Sequence, residues 1–223
     1  YNGYKYKSYD YILHERELLR LDPAVDELQH GTVDIWVTFP EGKRVEEYAQ
    51  ILKDNFTQYN ASWETKLEER EGYLFPDTYL IPTKTDIDFV INLLTKTFYE
   101  KIAQLGKNKD SADLSKIVII ASLIEREAKT NEEKPIIAGI IFNRLAVGMP
   151  LQIDATVQYA KGYNNEQKTW WPQITQDDYR NIVSPYNTYL SAGFPPAPIS
   201  NPGFESLHAA VNPASTSYYY YLH

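Results

Sequence analysis

Few folds accommodate a helix that is apolar on nearly every side and ends in carboxylates, and the segment from Leu114 to Lys129 reads as such a helix. Its run Ile117-Val-Ile-Ile-Ala-Ser-Leu-Ile124 leaves no face for water, so it must be wrapped by other elements and sit at the centre of the molecule. At about 100° per residue, Glu125 falls about 20° from Val118 and about 40° from Ala121, inside the apolar arc. Burial disfavours the charged form of a carboxylate, and an acid that donates a proton near neutral pH needs that environment. Glu127 competes for the role, since it flanks Ile120 and Leu123. The plainer alternative is that Glu125 is paired with Arg126, Arg144 or a lysine, and periodicity leaves that choice open.

The chain can supply the wrapping. With 223 residues, 43% of them apolar, it forms one large domain or two small ones and buries roughly 70 to 75% of its unfolded surface. It has no cysteine, which excludes thiol catalysis, iron–sulfur ligation and disulfides, and suits a compartment where thiols oxidise. The 22 basic and 30 acidic residues leave a net charge of −8 with no basic run, which argues against nucleic acid as a partner. No stretch approaches the about 20 apolar residues of a membrane span. The sequence begins at Tyr1 without a methionine, so an upstream signal or anchor is expected to have been removed.

Val33, Ile35, Val37 and Phe39 alternate with Asp34, Trp36 and Thr38, the pattern of a strand with one buried face. Val45, Tyr48, Ala49, Leu52 and Phe56 then define an amphipathic helix. Before this unit, short helical signals fall around His14 to Arg20 and Ala24 to Gln29. An acidic helix with Glu64, Glu68, Glu69 and Glu71, read as a solvated face, leads into a turn-rich segment from Gly72 to Pro82. Ile87 to Leu105 forms a long amphipathic helix ending near Gly106, and Thr130 with Glu133 makes a capping box for a helix through Ala146. Seven of the 13 prolines lie from Pro172 onward and give stiff extended loops. Asn201 reads as the N-cap of a short helix through Val211, and Tyr218 to Tyr221 as a terminal strand.

The signatures of other chemistries are missing: there is no G-x-G-x-x-G, P-loop, G-x-S-x-G or S-x-x-K. The four histidines are scattered, with no H-E-x-x-H, and His208 reads as a satisfied or half-buried side chain, so neither a metal nor a cofactor is expected. Aromatic residues make up 14% of the chain, 19 of them tyrosines. Such rings suit sugar faces and half-buried surfaces alike. Phe75 reads as packing, while Trp170 and Trp171 before Pro172 are open to either use.

Six ordered blocks carry a resemblance. They are Glu71-Gly-Tyr-Leu-Phe-Pro-Asp-Thr-Tyr79, Ala121-Ser-Leu-Ile-Glu-Arg-Glu127, Ile137-Ala-Gly-Ile-Ile-Phe-Asn-Arg-Leu145, Gly148-Met-Pro-Leu-Gln-Ile-Asp-Ala-Thr-Val-Gln-Tyr159, Ser184-Pro-Tyr-Asn-Thr-Tyr189 and Gly193-Phe-Pro-Pro-Ala-Pro-Ile-Ser-Asn-Pro-Gly203. In this order they resemble the YceG-like (MltG) family of endolytic murein transglycosylases. Ala128 and the Ile153-Asp-Ala-Thr156 stretch depart from the family's usual threonine and S-D-P-T. The resemblance implies an α+β fold: a small LysM-like strand/helix subdomain over residues 1–60, then a mainly helical catalytic domain over 61–223 with short strands and proline-rich loops. It also implies that Glu125 is the catalytic acid of a lytic transglycosylase, and that one membrane helix upstream anchors the chain with this part outside the cytoplasm.

A lytic transglycosylase needs one such acid, because the muramyl C6 hydroxyl is a tethered nucleophile. Its substrate would be peptidoglycan glycan strands and its neighbours penicillin-binding synthases. Gln152, Asp154, Thr156, Asn187 and Tyr189 are the polar residues of the blocks that would bind the glycan if the blocks meet in space. Asp154 also reads as the N-cap of a helix through Lys161, and Asn187 as a turn residue after Pro185. Two rivals remain: a non-catalytic peptidoglycan-binding module that tethers cell-wall synthases, and a muramidase in which Asp154 or Glu127 is a second carboxylate beside Glu125.

Overall fold

The computed structural model describes residues 33–221, so the helical signals expected between His14 and Gln29 lie outside the described residues. The fold is mixed α/β and mostly helical. Strand β1 (Asp34–Thr38) is followed by helices α1 (Val45–Asn55) and α2 (Ala61–Glu68), strand β2 (Thr78–Pro82), and helices α3 (Ile87–Gln104), α4 (Leu114–Glu127), α5 (Lys134–Ala146), α6 (Asp154–Lys161), α7 (Asp178–Asn181) and α8 (Phe204–Val211). Strands β1 and β2 pair antiparallel, with Trp36 opposite Leu80 and Val37 opposite Tyr79. Strand β2 is hidden in the sequence because prolines flank it and its partner lies about forty residues earlier. Its alternation is nevertheless clear: Tyr79 and Ile81 are buried while Thr78 and Leu80 face outward.

Two apolar cores result. The first joins Val37 and Phe39 to Tyr48 and Leu52 of α1, Trp63 and Leu67 of α2, Ile81 of β2, and Val90 and Leu94 from the first half of α3. Residue 60 therefore falls within the span of this core. The second core surrounds α4 with Phe98 and Ile102 of α3, Ile137 and Ile141 of α5, and Leu207 of α8. All the apolar residues of α4 from Leu114 to Ile124 are buried, as its composition requires. The long helix α3 thus contributes to both cores, its first half to one and its second half to the other.

The cores meet where the loop after β1 touches the proline-rich loop before α8. Asn201 does not cap α8, whose N-cap is Gly203. Its buried Oδ1 instead accepts the Gly72 and Leu74 N–H groups at 2.9 and 3.1 Å, while its Nδ2 donates to the Lys43 carbonyl and to Glu71 Oε1. Gly72 has φ +85°, and a Cβ there would strike the Pro198 ring. Glu71 is not on a solvated face, because the chain turns at Gly72 and folds it under the Val45 N–H at the start of α1. Burial pushes the Glu71 carboxyl up to about 8, against the lowering from that N–H.

The folded state therefore holds a proton on Glu71 until about pH 8, whereas the unfolded chain releases it near 4.5. Stability from this site is fully present below about pH 4.5 and is lost as pH rises toward 8. The stability difference between wild type and Glu71→Gln should shrink across that window by on the order of 1 kcal/mol per pH unit. Urea unfolding at several pH values checks this, and a difference independent of pH would refute it.

The expected terminal strand does not form. Residues 213–221 lie against α5 outside any strand, held by Asn143 Nδ2, which donates to the Thr216 and Tyr218 carbonyls, and by Arg144 Nε, which donates to the Tyr219 carbonyl at 2.6 Å. A run of tyrosines has strand propensity, but side-chain donors take the carbonyls that a strand would offer. Among the described residues no helix is long and apolar enough to cross a membrane.

Candidate active site

The two carboxylates at the end of α4 have different fates. Ser122, one turn earlier, accepts the Ile199 N–H on its Oγ at 3.1 Å, and Ser200 Oγ donates to the Ser122 carbonyl, so the proline-rich loop is fixed along this face of the helix. Glu125 continues the same face. Its Oε2 accepts the Gly203 N–H at 3.0 Å and the Ser206 hydroxyl at 2.5 Å, and Lys134 Nζ of α5 lies 3.5 Å away. The Glu125 and Lys134 side chains are only 9% and 7% exposed. The Glu41 carboxylate comes so close to Gly203 that a side chain there would displace it, and burial, then the charge of Glu125, raises the Glu41 carboxyl above its ordinary value. Glu125 thus ties the start of α8 to α4 and is paired with a lysine.

Glu127 points elsewhere. It borders a cleft of about 580 Å³ whose walls are the end of α4, the start of α6 and the tyrosines Tyr189 and Tyr221. The Tyr221 hydroxyl donates to Glu127 Oε2 at 2.8 Å, and burial, then the Glu127 charge, raises that phenol so that it stays a donor. Arg144, 6% exposed, underlies the cleft: its Nη1 donates to the Leu151 carbonyl while its Nε holds Tyr219, so one guanidinium positions both the α5–α6 loop and the segment that delivers Tyr221. Arg126 closes another side, its guanidinium 3.8 Å from the centre of the Trp171 ring and its basicity lowered by burial.

The expected binding residues divide between this cleft and the layer beneath it. Gln152, Asp154 and Tyr189 all border the cleft. Gln152 is exposed with φ +52°, an uncommon conformation for a non-glycine residue, which turns its carboxamide outward with no hydrogen-bond partner among the described residues. Asp154 opens α6 as its first residue, and Ile153 is the N-cap. Its carboxylate accepts the Tyr189 hydroxyl at 2.5 Å and the Tyr179 hydroxyl at 3.2 Å, so it is aimed by two phenols and caps nothing. Thr156 and Asn187 lie beneath, fully buried. The Thr156 hydroxyl meets the Ile153 carbonyl and Thr188 Oγ1, and the Asn187 carboxamide is spent on the carbonyls of Tyr179 and Ile182 and the N–H of Tyr189. They hold the 184–189 loop against α6 and do not reach the cleft surface. Among the described residues no His, Asp or Glu cluster is arranged to hold a metal ion.

The sequence profile of the YceG-like family matches residues 5–223. The chain belongs to the YceG-like family. Among its relatives, a protein of Bacillus subtilis (strain 168) named endolytic murein transglycosylase is 37% identical over 155 residues, 68% of this chain and 41% of that protein. A protein of the same name from Streptococcus pneumoniae serotype 2 (strain D39 / NCTC 7466) is 26% identical over an alignment covering 98% of this chain and 48% of its own length. The chain thus spans less than half the length of these relatives. The crystal structure of a YceG-like protein of Listeria monocytogenes superposes with a TM-score of 0.66 at 28% identity, covering 90% of this chain and 74% of that one.

Tyr221, Arg126 and Arg144 border the cleft without having been expected there. Tyr221 could not have been found by pattern, since it reaches Glu127 from 94 residues away. Arg144 carried a faint signal, being a charged residue in a helix otherwise rich in apolar positions.

Proposed function

We propose that this chain is the catalytic part of a lytic transglycosylase that cleaves the β-1,4 bond between N-acetylmuramic acid and N-acetylglucosamine in peptidoglycan, and that Glu127 is its acid. The observation that carries the assignment is the placement of the α4 carboxylates: Glu127 opens on the cleft with Gln152, Asp154 and Tyr189, whereas Glu125 is engaged by Gly203, Ser206 and Lys134. The names of the relatives support the transglycosylase activity in this reading. The family resemblance implies Glu125, two residues earlier on the same helix, and that residue is the alternative acid.

Glu127, protonated, gives its proton to the glycosidic oxygen as the C1–O bond breaks. As carboxylate it then takes the proton of the muramyl C6 hydroxyl while that oxygen closes onto C1, forming a 1,6-anhydro end. The proton returns to the enzyme and no water is consumed. Tyr221 fixes the carboxyl in place, and the Asp154 carboxylate, aimed by two tyrosine hydroxyls, faces the positive charge that develops at C1. Gln152 offers an unengaged carboxamide for the N-acetyl groups. Thr156 and Asn187 act through the loop they hold.

The strand–helix–helix–strand unit from Asp34 to Pro82 is, in this reading, the LysM-like subdomain, with its boundary beyond residue 60. An upstream membrane anchor, an extracytoplasmic location and contact with penicillin-binding synthases belong to the same proposal and rest on family resemblance. Digestion of purified peptidoglycan followed by mass spectrometry tests the reaction. Anhydro-muropeptides are expected. Products ending only in reducing muramic acid would make the enzyme a hydrolase, and intact glycan that still binds the protein would favour the tethering module.

A further inference from the structure

A second groove, of about 860 Å³, lies between α1 and the turn that follows α6, bordered by Lys53 on one side and Tyr163, Lys168 and Trp170 on the other. The turn is a tight loop closed by backbone hydrogen bonds between Asn164 and Thr169. Two of its rings pack in a row with Arg44 and Tyr159. Arg44 lies 4.0 Å from the Tyr159 ring and 4.7 Å from the Trp170 ring, and Trp170 meets Tyr163 at 5.1 Å with a 59° tilt. Trp170 is therefore backed by a guanidinium held bidentately by Glu46, and Tyr163 stands open at 45% exposure. Neither the Trp170 indole N–H nor the Tyr163 hydroxyl has a hydrogen-bond partner among the described residues, and neither Lys53 nor Lys168 has an ion pair there.

Trp171 stands between this groove and the cleft, touching a residue of each. That ring lies against Arg126, which borders the cleft, and its indole N–H donates at 2.9 Å to Glu47, which borders the groove. Gln158 of the cleft wall also donates to the Pro172 carbonyl just beyond the two tryptophans.

Resting on the glycan-cleaving reading above, we propose that the Trp170–Tyr163 corner is a distal subsite for the same glycan strand, holding an N-acetylated amino sugar several residues from the scissile bond. A sugar ring supplies the apolar face that a tilted aromatic corner needs and the hydroxyl and amide oxygens that the two idle donors need. Lys53 and Lys168, which share the groove with Glu46, Glu47 and Glu64, are the cations there that have no ion pair among the described residues and that the carboxylates of the stem peptides would meet. A site that grips the strand on one side of the cleft favours cleavage within long strands over cleavage of short fragments.

Binding of chitohexaose, the β-1,4 hexamer of N-acetylglucosamine, to the Glu127→Gln protein is the direct test. The hexamer should alter tryptophan fluorescence. Trp170→Ala and Tyr163→Ala should each weaken its affinity about five- to tenfold, roughly 1 to 1.4 kcal/mol, and Trp170→Phe, which keeps a ring against Arg44, should recover most of the loss. In the active protein the preference for long over short peptidoglycan strands should narrow by a similar factor. Hexamer affinity unchanged in both alanine variants, or no hexamer binding by the parent, overturns the subsite. Failure of the parent reading shows separately, as the absence of anhydro ends from wild-type digests.

Discussion

Glu127→Gln is expected to lower the formation of anhydro ends by about 10²- to 10⁴-fold, the range that a positioned acid–base group contributes. Glutamine keeps an acceptor for the Tyr221 hydroxyl, so the thermal midpoint should stay close to that of wild type. Glu125→Gln should behave in the opposite way. It removes the carboxylate charge 3.5 Å from Lys134, 7% exposed, although a single amide oxygen in the Oε2 position can still meet the Gly203 N–H and the Ser206 hydroxyl. Breaking a buried pair of this kind costs about 2 to 3 kcal/mol. The Glu125→Gln protein should therefore unfold at lower urea while its folded fraction still makes anhydro ends. Measuring both variants for stability and for product makes the assignment decidable. A stable, inert Glu125→Gln beside an active Glu127→Gln would return the acid to Glu125.

The difficulty of choosing between these two carboxylates from sequence has a physical cause. Helical periodicity places both beside apolar residues and stops there, because what separates them is the partner each meets. Glu125 meets Gly203 and Ser206, 78 and 81 residues further along, and Glu127 meets Tyr221, 94 residues further along. The helices themselves were legible. Residues of α1, α3 and α4 expected to face inward, such as Leu52, Leu94 and Ile120, are buried, since burying one face of a helix is a local matter of spacing. Strand β2 was not legible, because a five-residue strand between prolines looks like a turn until its partner is known. The tyrosines of the C-terminal segment misled for the related reason that strand propensity expresses itself only where a ladder partner is available. Glu71 misled too, since a charge run is usually solvated and only the fold of the chain at Gly72 takes this member inside.

Asn201→Ala should cause the largest loss of stability among single changes outside the cores, about 4 kcal/mol. The side chain is fully buried and serves four partners: it accepts from Gly72 and Leu74 and donates to Lys43 and Glu71. Alanine leaves two N–H groups, one carbonyl and one carboxyl oxygen without that partner in a region closed to water. Asn201→Asp separates the hydrogen bonds from the charge. Its carboxyl can still accept from Gly72 and Leu74, but it faces Glu71, whose proton the fold retains up to about pH 8. Ionising a second buried carboxyl beside the first is opposed by burial and by like charge, so the deficit of the aspartate variant relative to wild type should widen as pH rises and narrow in acid. Urea midpoints at two pH values distinguish this from a simple loss of packing, which would be pH-independent, and a midpoint for Asn201→Ala equal to that of wild type would show that other contacts carry the junction. Because Asn201 is joined through Pro202 to Gly203, and Gly203 to Glu125, slackening here reaches the carboxyl end of α4 before it reaches the cleft. The variant's activity should accordingly fall with the folded fraction, while the folded molecules retain the Glu127 geometry that Tyr221 fixes from the other side of the helix.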